Sequence, residues 1–256
     1  MGSDFDKFHL NLLEVNDNPT SSQAPGAFPA TRWTLVREAA TSDPAALTEL
    51  CKDYWFPLYC YARRLRDNQA DAEDLTQSFF AHLLSKDGLQ KAEQDRGKLR
   101  SFLIRSLQNF AIDEWRHAKR FKRGGFAQIV SIDAQEAEER YLSEPVEKLT
   151  PEVAFDRAWA SQLLEDVLNK LSQSYHQAGK GPIFEKLREQ LVPGGTQQPY
   201  ALAAAELGMS EPAVRIAAFK LRNRYRDLLK QTIAQTVSNE TEVEEELAHL
   251  RAAFVN

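Results

Sequence analysis

Three stretches of the chain carry side chains whose types and spacing could do chemistry. The first is DAEDLTQSFF, beginning at Asp71. At helical spacing Asp71, Asp74 and Gln77, with Ser78, share one face, while Leu75, Phe79 and Leu83 share another. Two carboxylates one turn apart could hold a divalent metal or act as an acid–base pair. No histidine or further acid stands at ligand spacing, however. His82 lies well along the helix, and His9, His117, His176 and His249 are scattered. No glycine-rich phosphate loop or nucleophile motif occurs. Catalytic residues, metal ligands and cofactors are therefore not expected. Acids in a first helical turn also oppose the positive end of the helix dipole, so capping alone would explain Asp71 and Asp74. As a functional feature, this face reads as a protein-docking patch.

The second stretch, GKLRSFLIRSLQNFAIDEWRHAKRFKRGG, interleaves aromatics with cations. Lys98, Arg100, Arg105, Arg116, Lys119, Arg120, Lys122 and Arg123 alternate with Phe102, Phe110, Trp115 and Phe121. Cations can track phosphates, and exposed aromatic faces can hold unstacked bases at roughly 1–3 kcal/mol each. Asn109 and Asp113 stand four apart and share a face with Arg116 and Arg120, so they could read base edges or hold the arginines in place. Most of the aromatics are expected in the core; Phe121 and the cations around it are the better contact candidates.

The third stretch, YALAAAELGMSEPAVRIAAFKLRNRYRDLL, has the spacing of a helix-turn-helix. Ala204 supplies the small residue where two helices cross closely, and Gly208 suits a left-handed turn four residues later. Leu207 and Met209 flank the turn. Ser210 can cap the second helix, and Pro212 is acceptable in its first turn. Val214 and Ala217 are expected to face inward, leaving Glu211, Ala213, Arg215 and Lys220 outward. Such a helix would lie in the DNA major groove with early residues over bases and later cations, Arg222 among them, near phosphates. The plain alternative is an ordinary helical hairpin.

These residues must be positioned by helices. Residues 1–30 are rich in turn formers and read as a mobile leader. From Thr31 to Arg66 apolar residues fall at helical spacing, with Pro57 expected to kink or restart a helix. Further helices are predicted at about Ala70–Ser85, Lys98–Lys122, Glu152–Gln173, Pro182–Leu191, Tyr200–Leu207 and Glu211–Thr232. Only Gln128–Ile132 has a β-like look. The fold class is all-α: two helical modules joined by an acidic linker, the second containing the helix-turn-helix. The boundaries follow as 31–125, a linker at 126–150 with room for a short helix, 151–236, and an acidic extension at 237–256.

The chain has 256 residues and a formal charge of −5, which by itself argues against a nucleic-acid partner. Resolved along the sequence, the charge is +7 over Arg96–Arg123, −6 over Ser131–Asp156, +5 over Pro212–Lys230 and −4 over Asn239–Arg251. Screening confines such contacts to about 10 Å, so the local blocks matter and the total does not. No apolar run reaches the ~20 residues of a membrane helix. Two cysteines, Cys51 and Cys60, are too few for a disulfide scaffold. A cytoplasmic protein without membrane contact is expected. The acidic tail Glu240–Glu246 could fold against a basic module and occlude DNA; the simpler expectation is a solvated terminal helix.

In order, the chain carries an acidic-polar helix, a basic aromatic helix, a linker and a helix-turn-helix. This constellation resembles a bacterial RNA polymerase sigma factor of the extracytoplasmic-function type over roughly Leu47–Arg123 and Val153–Leu229. The resemblance implies that Asp71, Asp74 and Gln77 dock on the β′ clamp of core RNA polymerase. It implies that Lys98, Arg100, Asn109, Asp113, Arg116, Lys119, Arg120 and Arg123 contact and melt the −10 promoter element. Ser210, Glu211, Ala213, Arg215, Lys220 and Arg222 would serve the −35 element, with the same module packing on the β flap. Promoter DNA and core polymerase are the implied partners, with an anti-sigma or other regulatory protein as a further one. The protein would be a promoter-specificity subunit and not an enzyme. A polymerase-independent helix-turn-helix regulator is the alternative, and a metal-dependent helical hydrolase built on Asp71 and Asp74 a remote one.

Overall fold

Asp43 starts the first described helix, α1 (Pro44–Leu65): its carboxylate accepts from the Ala45 amide at 2.9 Å, and Pro44 stands in the first turn, where a missing N–H costs no intrahelical hydrogen bond. The computed structural model describes residues 43–83, 98–118, 134–143, 149–191, 199–237 and 239–255. The leader, the β-like Gln128–Ile132 and much of the expected linker lie outside them. The described residues form α-helices, one short 3-10 turn and no strand. They cluster as two units, residues 43–160 with 234–242, and residues 161–233 with 243–255.

In the first unit α1 runs unbroken through Pro57, where a kink or restart is expected from sequence. The reason is packing. Tyr54, Trp55, Phe56, Leu58, Tyr59, Cys60, Tyr61 and Ala62 are all buried, so contacts on every side hold the helix across the hydrogen bond that proline cannot make. Cys51 and Cys60 are free and buried, and burial pushes the Cys51 thiol up to about 11. Helix α2 (Gln69–Leu83) begins at Asn68, whose side-chain oxygen accepts from the Asp71 amide at 2.8 Å. Its side-chain amide nitrogen donates to the Asp71 carboxylate at 2.9 Å, a side-chain clasp beside the cap. Ala72, Leu75, Phe79, Phe80 and Leu83 form the buried face of α2. Helix α3 (Leu99–Ala118) buries Leu99, Leu103, Leu107 and Ala111.

Part of the acidic stretch is structured. Residues 134–143 form helix α4 (Ala134–Ser143), which buries Ala137 and Tyr141 against the first unit. Glu138 is its anchor: one oxygen accepts from Arg63 Nε at 2.9 Å and the other from Arg63 Nη2 at 3.0 Å, while the Tyr59 hydroxyl donates to the same carboxylate. Arg63 also lies 5.0 Å over the Tyr141 ring and Arg140 4.5 Å over Phe56. Helix α5 (Pro151–Gln177) follows, its Thr150 hydroxyl accepting from the Val153 amide. The residues of α5 up to Ala160 cluster with the first unit and the rest with the second.

The second unit continues with α6 (Gly181–Leu187), the 3-10 turn Arg188–Leu191, α7 (Tyr200–Leu207) and α8 (Glu211–Ala234). Between α7 and α8, Gly208 takes the left-handed conformation at φ 62°, and the Met209 amide reaches back to the Ala204 carbonyl at 3.0 Å. A Cβ at Gly208 would meet nothing within 4 Å, so the glycine is needed for its backbone and not for space. Gly208→Ala should therefore lower unfolding free energy by about 1–2 kcal/mol, read from a denaturant midpoint, without overlap with any neighbour. Ala204 and Val214 are buried as the spacing predicts, but the next inward residue on α8 is Ala218; Ala217 is only half-buried. A full turn separates 214 from 218, and the stripe Val214–Ala218–Leu221–Tyr225–Leu229 keeps that phase.

Helix α9 (Glu240–Val255) is a packed element and not the solvated helix expected. The Asn239 side-chain oxygen accepts from the Glu242 amide at 3.1 Å and its side-chain nitrogen donates to the Glu242 carboxylate at 2.9 Å, the same cap and side-chain clasp. Val243, Leu247, Leu250 and Phe254 are buried, and Glu244 accepts from Lys230 of α8 at 2.8 Å.

Candidate nucleic-acid and protein-docking surfaces

In the first unit α2 turns its apolar stripe inward and leaves Asp71, Asp74 and Gln77 exposed on the other side. Asp71 has a local duty, since the Asn68 cap uses its backbone N–H and the Asn68 side chain also donates to its carboxylate. Asp74 and Gln77 lie beyond that cap, and helix-end chemistry does not account for their shared exposed row. Among the described residues no group of three or more His, Cys, Asp or Glu stands close enough to hold a metal.

Helix α3 splits the second candidate set. Asn109 and Asp113 are exposed along one face, with Arg105 a turn before them. The same face carries Ile112, half of whose surface is open to solvent, a residue that sequence reasoning assigned no role. Lys98 is half-buried just ahead of the helix, and its carbonyl accepts from the Phe102 amide at 3.2 Å. Arg100 is not placed for phosphate contact. It donates to Asp156 at 2.9 Å, keeps only 12% of its side chain exposed, and lies 5.8 Å over the Trp159 ring. A run of cations in one dimension gives no sign that one of them is paired to an acid 56 residues away. Arg116 lies in α3 but its side chain is not described, and Lys119, Arg120, Phe121 and Arg123 fall outside the described residues. Phe110 stacks on His82 at 5.1 Å and lies tilted against Phe79 at 5.8 Å, which makes it a packing aromatic as expected.

In the second unit, Ser210 and Lys220 are exposed and Glu211, Ala213 and Arg222 are half-buried. The Ser210 carbonyl accepts from the Val214 amide at 3.1 Å, the first bond of α8. Arg215 is exposed but engaged: its Nη2 donates to Glu211 at 2.6 Å, its Nε at 3.1 Å, and its guanidinium sits 5.1 Å over Tyr200. Arg222 lies 3.5 Å from the Tyr200 hydroxyl. Sequence reasoning missed two residues on the outward side of α8, Ile216 and Phe219, which are 56% and 58% exposed. The signal was present: both are out of phase with the Val214–Ala218–Leu221 stripe. No described helix is long and apolar enough to cross a membrane.

Residues 53–121 match the family model for sigma-70 region 2. This span holds most of α1, all of α2 and all of α3, and with them the exposed Asp74–Gln77 and Arg105–Asn109–Asp113 rows. The match indicates a sigma-factor role in binding RNA polymerase and in promoter melting. No curated protein and no solved structure matches the chain significantly.

Proposed function

We propose that the chain is a promoter-specificity subunit of RNA polymerase, of the extracytoplasmic-function type, and not an enzyme. The observation that carries this reading is the pairing, inside the matched span, of an acidic-polar row on α2 with a polar-cationic row on α3. Asp74 and Gln77, with Asp71 at the helix start, dock on the β′ clamp. Arg105, Asn109 and Asp113, followed along the chain by Arg116, Lys119, Arg120 and Arg123, capture the −10 element as it opens. Extruding a base costs a few kcal/mol, and contacts to the freed base and its phosphates offset that cost. The second unit supplies the −35 contact through α7, Gly208 and α8, and packs on the β flap. The Glu211–Arg215 pair and the Tyr200 ring support this by fixing the start of α8. The protein works in the cytoplasm, where its template lies.

A subunit of this kind binds duplex DNA weakly alone and tightly once assembled. Full-length protein mixed with core polymerase should co-elute with it and protect both an upstream and a downstream promoter segment. Tight, sequence-specific duplex binding by the chain alone, unchanged by core polymerase, would identify the polymerase-independent regulator instead.

A further inference from the structure

The outward side of α8 differs from what a purely cationic DNA-reading helix would present. Pro212, Ile216 and Phe219 fall at spacings of four and three, so they share a stripe opposite the buried Val214–Ala218–Leu221 face. Ile216 and Phe219 are more than half exposed, though large apolar side chains are costly to leave in water. Around them the charge is positive: Lys220 and Arg224 are exposed, Arg222 and Arg226 half-buried, and the one acid from Pro212 to Lys230 is Asp227. An apolar centre with a cationic rim suits a polyanion whose recognition edge is itself apolar. Duplex DNA offers such an edge at the C5-methyl group of thymine, which projects into the major groove. Arg215, the residue of early α8 best suited by chemistry to read guanine, is held by Glu211 and Tyr200.

We propose that Ile216, with Phe219 beside it, is a specificity-determining residue that reads thymine methyl groups in the major groove, so that α8 selects A·T pairs by apolar contact. Lys220 and Arg224 supply the sequence-independent hold on phosphates. The proposal rests on reading residues 200–230 as a DNA-binding helix-turn-helix.

The test removes the methyl from the DNA, where no folding question arises. Full-length protein, alone and with core polymerase, selects bound duplexes from a random library. Each thymine of the selected upstream element is then replaced by uracil, which pairs identically but lacks the methyl. One or two replacements should weaken binding by about fourfold each, the cost of one buried methyl-sized group left unburied. Ile216→Ala should lower affinity for the thymine duplex and lose most of its sensitivity to uracil. Lys220→Ala should weaken both duplexes alike and flatten the salt dependence. An unchanged affinity for uracil duplexes, or an equal loss in the wild type and Ile216→Ala, with Lys220→Ala still weakening binding, overturns the apolar reading and leaves the helix-turn-helix intact. If uracil, Lys220→Ala and Arg224→Ala are all without effect, DNA binding by this unit fails and the inference with it. The occupant of the apolar stripe would then be a protein.

Discussion

Asp74→Arg should weaken binding to core polymerase by a hundredfold or so, and Asp71→Arg with Asp74→Arg should abolish it. If Asp74 docks through its charge, a cation in its place exchanges attraction for like-charge repulsion, which costs several kcal/mol. The single variant is the cleaner probe. Asp74 is exposed and takes no part in the Asn68–Asp71 cap, so its replacement leaves the start of α2 intact. The double variant also removes the exposed Asn68–Asp71 side-chain bond and reverses the charge in the first turn of α2, which costs roughly 0.3–1 kcal/mol. Its melting curve should therefore be recorded beside its binding curve. Asp74→Asn, which removes charge without adding any, should fall between wild type and Asp74→Arg. Normal assembly by the double variant would reject the docking assignment.

The second large effect concerns stability. Glu138→Ala should destabilise the first unit by about 3 kcal/mol, because it leaves the Arg63 guanidinium, only 14% exposed, without its two-pronged partner. Glu138→Gln keeps the shape and part of the hydrogen bonding and should cost less. Burial by itself would raise the Glu138 carboxyl, but hydrogen bonds from Arg63 and Tyr59 and the Arg63 charge outweigh it and hold the group below its usual value. A carboxyl depressed on folding contributes stability that is complete above its unfolded value near 4.5 and is lost as pH falls through the lower folded value. Thermal melts of wild type and Glu138→Ala should thus converge as pH drops below about 4.5 and separate fully at neutral pH. A constant difference across that range would show that Glu138 acts through packing alone. The Tyr59 phenol, raised by burial and by the adjacent carboxylate, stays protonated throughout and remains a donor.

What the sequence discloses here is mostly local. Helix α7 and the Gly208 turn follow from a run of alanines and a glycine at fixed spacing, because those choices answer to backbone geometry within a few residues. The exposed row of α2 and the inward stripe of α3 follow from helical periodicity. What escapes is set by partners far along the chain. Arg100 reads as one more cation of a basic helix until Asp156 and Trp159 close on it. Glu138 reads as one more acid of a charged tether until Arg63, 75 residues earlier, meets it. Pro57 signals a break, and the surrounding buried aromatics overrule it. Ile216 is a different kind of miss. Its outward position follows from the phase of Val214, Ala218 and Leu221, but an apolar side chain among outward cations carries no polar chemistry that marks it as a contact.

Run-off transcription asks whether this chain confers promoter choice on core polymerase. Core polymerase with and without the full-length protein is given a library of promoter fragments, and transcript 5′ ends are mapped. A promoter-specificity subunit should give discrete start sites that require the protein and vanish with Asp71→Arg and Asp74→Arg. Start sites unchanged by adding the protein, while the protein alone binds duplex DNA tightly, would contradict it.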